Sequence, residues 1–152
     1  MKQFIEKITI EKLILIAKLE NKFNSNFLNE LAKNIKLSDD IMIKYFDMFK
    51  QITLFSTQTI SHNFVKKMHK KIDWYLLLKY HKLKLNDIKK YYKYFYKDFF
   101  CLRTMIINQT LNEKFIRKIC KNFDKYCWTH ICYYQNVSDQ FIKEYINNIM
   151  GI

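Results

Sequence analysis

The chain is 152 residues long, the size of one domain. It holds no proline and one glycine, Gly151, and its 27 Lys plus Arg outweigh 14 Asp plus Glu for a formal charge of +13. With 49% apolar and 17% aromatic residues it can bury a core, which excludes a disordered chain, and the missing turn residues exclude glycine-rich phosphate loops and disfavour a many-turned sheet. An all-α, basic domain is the expectation. Lys, Asn, Ile, Phe and Tyr supply 83 residues, while Ala, Gly, Pro and Arg supply five, the skew of an AT-rich coding sequence. The total charge is therefore weak evidence for a polyanion partner, and its placement is the better guide.

At the N-terminus, Lys2 and Lys7 are interrupted by glutamates and no small-residue cleavage site follows, so no signal peptide is expected. The longest apolar run, Leu13 to Ala17, is far short of the roughly 20 residues of a membrane span. Residues 1–27 read as an N-terminal helical cap. Four cysteines (Cys101, Cys120, Cys127, Cys132) read as free thiols in a reducing compartment, which with the absent export signals predicts an intracellular protein.

One local pattern then recurs: an aliphatic residue, Ser or Asn, two mostly polar residues and an apolar pair. It occurs at Leu37-Ser38 with Ile41-Met42, Ile60-Ser61 with Phe64-Val65, Leu111-Asn112 with Phe115-Ile116, and Val137-Ser138 with Phe141-Ile142. Ser or Asn is the N-cap that satisfies an orphan N–H at a helix start. The flanking aliphatics (Leu37–Met42, Ile60–Val65, Leu111–Ile116, Val137–Ile142) form hydrophobic staples. A fifth copy is degenerate: Leu83 and Ile88 make the staple, but Lys84 occupies the cap, so that helix start is expected to fray or move to Asn86.

Caps at 38, 61, 84, 112 and 138 are spaced 23, 23, 28 and 26 residues apart, a period that predicts stacked helix pairs. Upstream of each cap a second helix, B, carries apolar pairs at Leu31/Ala32, Leu54/Phe55, Leu77/Leu78, Met105/Ile106 and Ile131/Cys132. The capped helix, A, is apolar about three, four and eight residues after its cap, one face of a 3.6-residue period. Helices are expected near 10–22, 26–35, 39–50, 52–58, 62–71, 74–81, 86–97, 99–109, 113–122, 125–135 and 139–149. The fold expectation is an all-α array of about five short helix-pair repeats, packed as one solenoid-like domain with repeats over 28–149.

The stretch from Trp74 to Ile88, and more faithfully that from Trp128 through Gln135 and Ser138 to Phe141-Ile142, resembles short helical repeats in proteins of giant and other large DNA viruses. The resemblance implies a viral origin and a helical-repeat fold. It implies no particular activity.

The repeat register also organises the charge. Five, six and nine residues after the caps, eleven of fifteen positions are basic: Lys44, Lys66, Lys67, Lys70, Lys89, Lys90, Lys93, Arg117, Lys118, Lys121 and Lys143. About five would follow from composition. Positions five and nine are neighbours on one helical face, so stacked A helices would carry a basic ladder. Such a ladder suits nucleic-acid phosphates or an acidic protein face, while a solvated face enriched by codon bias is the plainer reading. Arginine, the usual bidentate phosphate ligand, occurs only as Arg103 and Arg117, so any nucleic-acid binding is expected to be sequence-independent.

Other features read as structural. In Tyr91 to Phe100, with seven aromatics, Ile88, Tyr92, Phe95 and Phe99 follow the core stripe and only Tyr94 and Tyr96 are expected to be exposed. Cys120, Cys127, His130 and Cys132 lack a standard zinc spacing, and Cys132 falls at a core position, so no metal and no cofactor is expected. Gln58, Gln109 and Gln135, with His81, share one position before the turn and are expected to hydrogen-bond the ends of helix B. Trp74 and Trp128 read as core anchors. His62, His69, His81 and His130 have no nucleophile partner at a defensible spacing, so no catalysis is expected. The leading expectation is a non-enzymatic interaction module that binds a viral or host protein. Next come a nucleic-acid-associated protein, taking DNA or RNA on the lysine ladder, and a compact Bcl-2-like host modulator. The apolar segments Leu13 to Ile16 and Ile149 to Ile152 suggest self-association, and no membrane partner is expected.

Overall fold

The structure, a computed structural model, describes residues 9–151, so Lys2, Lys7 and Ile152 lie outside the described residues. Every regular element among the described residues is helical. The chain divides into two compact units, 1–68 and 69–152. The first contains α1 (Ile10–Leu19), α2 (Ser25–Asn34), α3 (Asp39–Lys44), α4 (Gln51–Thr57) and α5 (His62–Met68). The second contains α6 (Trp74–Tyr80), α7 (Leu85–Tyr91), α8 (Phe99–Asn108), α9 (Glu113–Ile119), α10 (Lys125–Tyr134), α11 (Asp139–Glu144) and α12 (Ile146–Met150).

All four expected caps form. Ser38 accepts from the Ile41 N–H (3.5 Å), Ser61 from Phe64 (3.0 Å), Asn112 from Phe115 (2.9 Å) and Ser138 from Phe141 (3.1 Å). At the degenerate copy the helix neither frays nor moves to Asn86: α7 starts at Leu85 behind Lys84, without a side-chain cap. Four of the five B helices have caps of their own, Asn24, Asp73, Asp98 and Asp124, each accepting a first-turn N–H, while α4 starts behind Lys50 without one.

The A helices are shorter than expected. The segments expected near 39–50, 86–97, 113–122 and 139–149 each break seven residues after the cap. Tyr45 (φ −114°, ψ 19°), Tyr91 (−100°, 0°), Ile119 (−107°, −10°) and Tyr145 (−109°, 18°) all occupy the bridge region. Tight 3₁₀ turns follow the first three, at 46–48, 92–94 and 120–122. A chain without proline, and with its one glycine at 151, leaves its helices by this tightening. Likewise α1 ends at Leu19, before the expected 22.

The glutamines join neighbouring repeats. Gln109 accepts from the Leu83 N–H (2.8 Å) and donates to the carbonyls of Leu78 (2.8 Å) and His81 (2.7 Å). Gln58 treats Leu37, Ala32 and Ile35 in the same way, and Gln135 treats Leu111, Ile106 and Gln109. Each glutamine is buried. Its amide thus satisfies two orphan carbonyls at the end of the preceding helix B and one N–H of the following turn. The expected partner was the end of helix B; the structure specifies that it is helix B of the preceding repeat. His81 stands at the same register position.

B helices lie side by side within each unit: α2 against α4, and α8 between α6 and α10. Leu28, Leu54, Leu77, Leu78, Leu102, Met105, Ile106 and Ile131 form their buried faces. Trp74 and Trp128 are buried as expected, Trp128 stacking on Tyr145 at 5.1 Å. Several register-based assignments need correction: Phe100 is exposed and Tyr96 half-buried, the reverse of the expectation, and Cys132 and Phe99 leave the core. Cys132 is exposed, because no further B helix follows α10 among the described residues to cover it. Phe99 is exposed because the 3₁₀ turn resets the register and makes it the first residue of α8; Tyr91 takes the buried place instead.

Candidate functional site

Helices α7 and α9 run into 3₁₀ turns, and the second unit has a cleft of about 590 Å³ between these segments. Lys89 and Lys93 line one wall, one helical turn apart, and Lys114, Lys118 and Lys121 line the other at i, i+4 and i+7. None of the lining residues is acidic. Five ammonium groups around one concavity focus a positive potential into it.

The floor is aromatic. Tyr92 meets Phe115 edge-on at 5.7 Å and Phe95 at 5.6 Å, and its hydroxyl accepts from the Asn122 amide at 3.1 Å. Burial pushes the Tyr92 hydroxyl above its ordinary pKa, so it stays neutral. Lys89 stands over the Phe115 ring at 5.9 Å. Tyr96, half-buried, lies 5.9 Å from Tyr92 and also lines a second hollow of about 410 Å³ with Lys97, Phe99 and Lys121.

Four of the eleven ladder residues, Lys89, Lys93, Lys118 and Lys121, meet in this cleft. Register counting missed Lys114, although its i, i+4, i+7 spacing with Lys118 and Lys121 was available. It also missed Tyr92 and Asn122: Tyr92 was assigned to the core, and it is half-buried as the cleft floor. Arg117 is no open rung. It holds Glu113 (2.8 Å) and Glu144 and covers the Phe141 ring at 5.0 Å. Its carboxylate partners raise its pKa, and Glu113 is lowered by the Ser138 N–H and by Arg117. Lys90 lies over the Tyr91 ring at 5.2 Å, outside the cleft lining. Lys44, Lys66 and Lys67 are exposed on the first unit, Lys44 lining a groove that also contains Glu11 and Asp40. Lys70 and Lys143 are exposed on the second unit.

The remaining candidates do not assemble. Among the described residues no three His, Cys, Asp or Glu side chains converge as metal ligands, and Cys120, Cys127, His130 and Cys132 are no exception. Burial pushes the thiols of Cys101 and Cys127 up to about 12, with Asp98 and Asp124 respectively adding to the shift, which leaves them protonated and weakly nucleophilic. Arg103 pairs with Asp124 and lies over Tyr126 at 4.5 Å. No helix among the described residues is long and apolar enough to cross a membrane. Comparison with protein-family models, curated proteins and solved structures finds no match.

Proposed function

We propose that the chain is a non-enzymatic interaction module that binds nucleic-acid phosphates, independently of sequence, through the lysine cleft of its second unit. The observation that carries this reading is the convergence of Lys89, Lys93, Lys114, Lys118 and Lys121 on one concavity whose lining contains no carboxylate. Lysine is a point-charge phosphate ligand without the planar fork that reads bases. The one arginine beside this region, Arg117, is committed to Glu113 and Glu144. Attraction to phosphate without base reading is what such a set supports. The cap-and-glutamine repeat is compatible with the likeness to helical repeats of large DNA viruses, and we extend the proposal to a viral origin.

The test is fluorescence anisotropy with a short labelled oligothymidylate near physiological salt. Binding that is lost in a Lys93/Lys118/Lys121→Glu variant of unchanged helicity is expected. No binding by the unaltered protein, or equal binding by the variant, overturns the proposal.

A protein partner is the second reading, favoured by a separate observation: Tyr126, Tyr133 and Tyr134 are 51%, 79% and 55% exposed on α10. Tyrosine is enriched at protein interfaces. This reading predicts a complex that survives charge reversal in the cleft and is lost on Tyr133→Ser.

A further inference from the structure

We infer that the cleft selects single-stranded nucleic acid, with one unpaired base stacked on Tyr96. This deepens the reading of the cleft as a phosphate-binding site and rests on it.

The argument begins with what the cleft contains besides charge. A site for phosphate alone needs cations and no aromatic floor. Here the volume of about 590 Å³ lies within the roughly 300–1,000 Å³ of sites that enclose small organic groups. The aromatic rings have different duties. Phe115 is buried and faces Lys89. Tyr92 is fixed on three sides, by Phe95, Phe115 and Asn122. Tyr96 is the ring that a ligand can reach: it is half-buried, has the Lys97 ammonium over it at 5.6 Å, and borders both the main cleft and the hollow beyond it.

Those two hollows make the site linear. The main cleft and the hollow of about 410 Å³ share Tyr96, Lys121 and Asn122. Lysines lie on both sides of the ring, Lys93 and Lys118 in the cleft, Lys97 in the hollow beyond and Lys121 common to both, and the hollow's one carboxylate, Asp124, is paired with Arg103. A strand crossing Tyr96 meets an ammonium group before the ring and another after it. Alternation of a stacking ring with backbone cations is how single strands are held without sequence preference. A duplex presents the same phosphates but keeps its bases paired, so it gains nothing from the ring.

The experiment compares four probes by competition near physiological salt: oligothymidylate, a length-matched DNA duplex, inorganic polyphosphate and poly-glutamate. The expected order places oligothymidylate at least about fivefold ahead of duplex and polyphosphate, one stacked base being worth about that factor or more. Tyr96→Ala is expected to remove this advantage while leaving polyphosphate binding intact, and Tyr96→Phe to retain it. Equal binding of oligothymidylate and polyphosphate by the unaltered protein overturns the inference but leaves the phosphate reading standing. Unaltered single-strand preference in Tyr96→Ala overturns it too. Poly-glutamate as the best ligand assigns the cleft to an acidic protein, and no binding of any probe refutes both readings. The comparison among probes needs no variant, so a Tyr96→Ala chain that fails to fold does not protect the inference.

Discussion

Replacing Gln109 with alanine should be among the most damaging single substitutions in the second unit. The side chain is 3% exposed and makes three hydrogen bonds of 2.7–2.8 Å, to the Leu83 N–H and to the carbonyls of Leu78 and His81. A hydrogen bond contributes about 1 kcal/mol net, and a buried group left unpaired costs about 1–3 kcal/mol. Three losses together, with at least one partner shut from water, give about 3–5 kcal/mol. In urea, with a slope of about 1–3 kcal/mol per molar, the midpoint should fall by about 1–5 M. Helicity followed through a urea titration measures it. Gln109→Glu keeps an acceptor for Leu83 but sets a carboxylate against two carbonyls, and should be at least as damaging. Gln140→Ala, on an exposed position of α11, is the control and should stay within about 0.5 kcal/mol. A Gln109→Ala chain within 1 kcal/mol of the parent, on the scale of one ordinary hydrogen bond, would refute the clasp.

Three further outcomes follow from particular contacts. Lys84 already has cap geometry (φ −67°, ψ 141°) like Ser38 and Ser138, so Lys84→Ser should stabilise the chain by about 0.5–1 kcal/mol; an unchanged or lower urea midpoint contradicts this. Burial raises the Asp124 carboxyl, but Arg103 and the Cys127 N–H outweigh it and hold the pKa at about 2, below the ordinary 3.8. Its stabilisation is therefore full above the ordinary value and is lost as pH falls through about 2. Asp124→Asn should flatten the pH dependence of the thermal midpoint over that window, and an unaltered slope counts against the pair. Leu15 and Leu19 are 55% and 75% exposed on α1, so a Leu15→Ser/Leu19→Ser chain should sediment as monomer if that face mediates self-association. Concentration-dependent association that persists in this variant removes the face from consideration.

The caps were legible because each is local: a Ser or Asn and an apolar pair three and four residues later specify the same hydrogen bond wherever they occur. The glutamines were legible as helix-end ligands but not as links between repeats, since their partners lie 21 to 31 residues away in sequence. Helix ends were misplaced where Tyr45, Tyr91, Ile119 and Tyr145 enter the bridge region, for these residues carry no breaker signature. That same break moved Phe99 out of the core and turned Tyr92 into a cleft floor. In the ladder, the lysines five and six residues after the caps stand on the A helices, but those nine after, Lys70, Lys93 and Lys121, fall beyond the break at the seventh residue, and register counting could not foresee that Glu113 and Glu144 would take up Arg117. Nor could it tell which rungs share a concavity. The Asp caps of the B helices at 73 and 98 were legible in principle, each preceding an apolar run, and that at 124 is separated from one by Lys125.

The most direct test of the proposed function is the salt dependence of oligothymidylate binding in two charge-matched variants. One carries Lys93/Lys118/Lys121→Gln in the cleft, and the other carries Lys36/Lys79/Lys125→Gln at exposed positions outside it. Each neutralised phosphate contributes about 0.7 to the slope of log affinity against log salt for a single strand. The cleft variant should lose about 2 from that slope and the control almost nothing. Equal slopes in the two variants would mean that bulk charge, and not the cleft, attracts the strand.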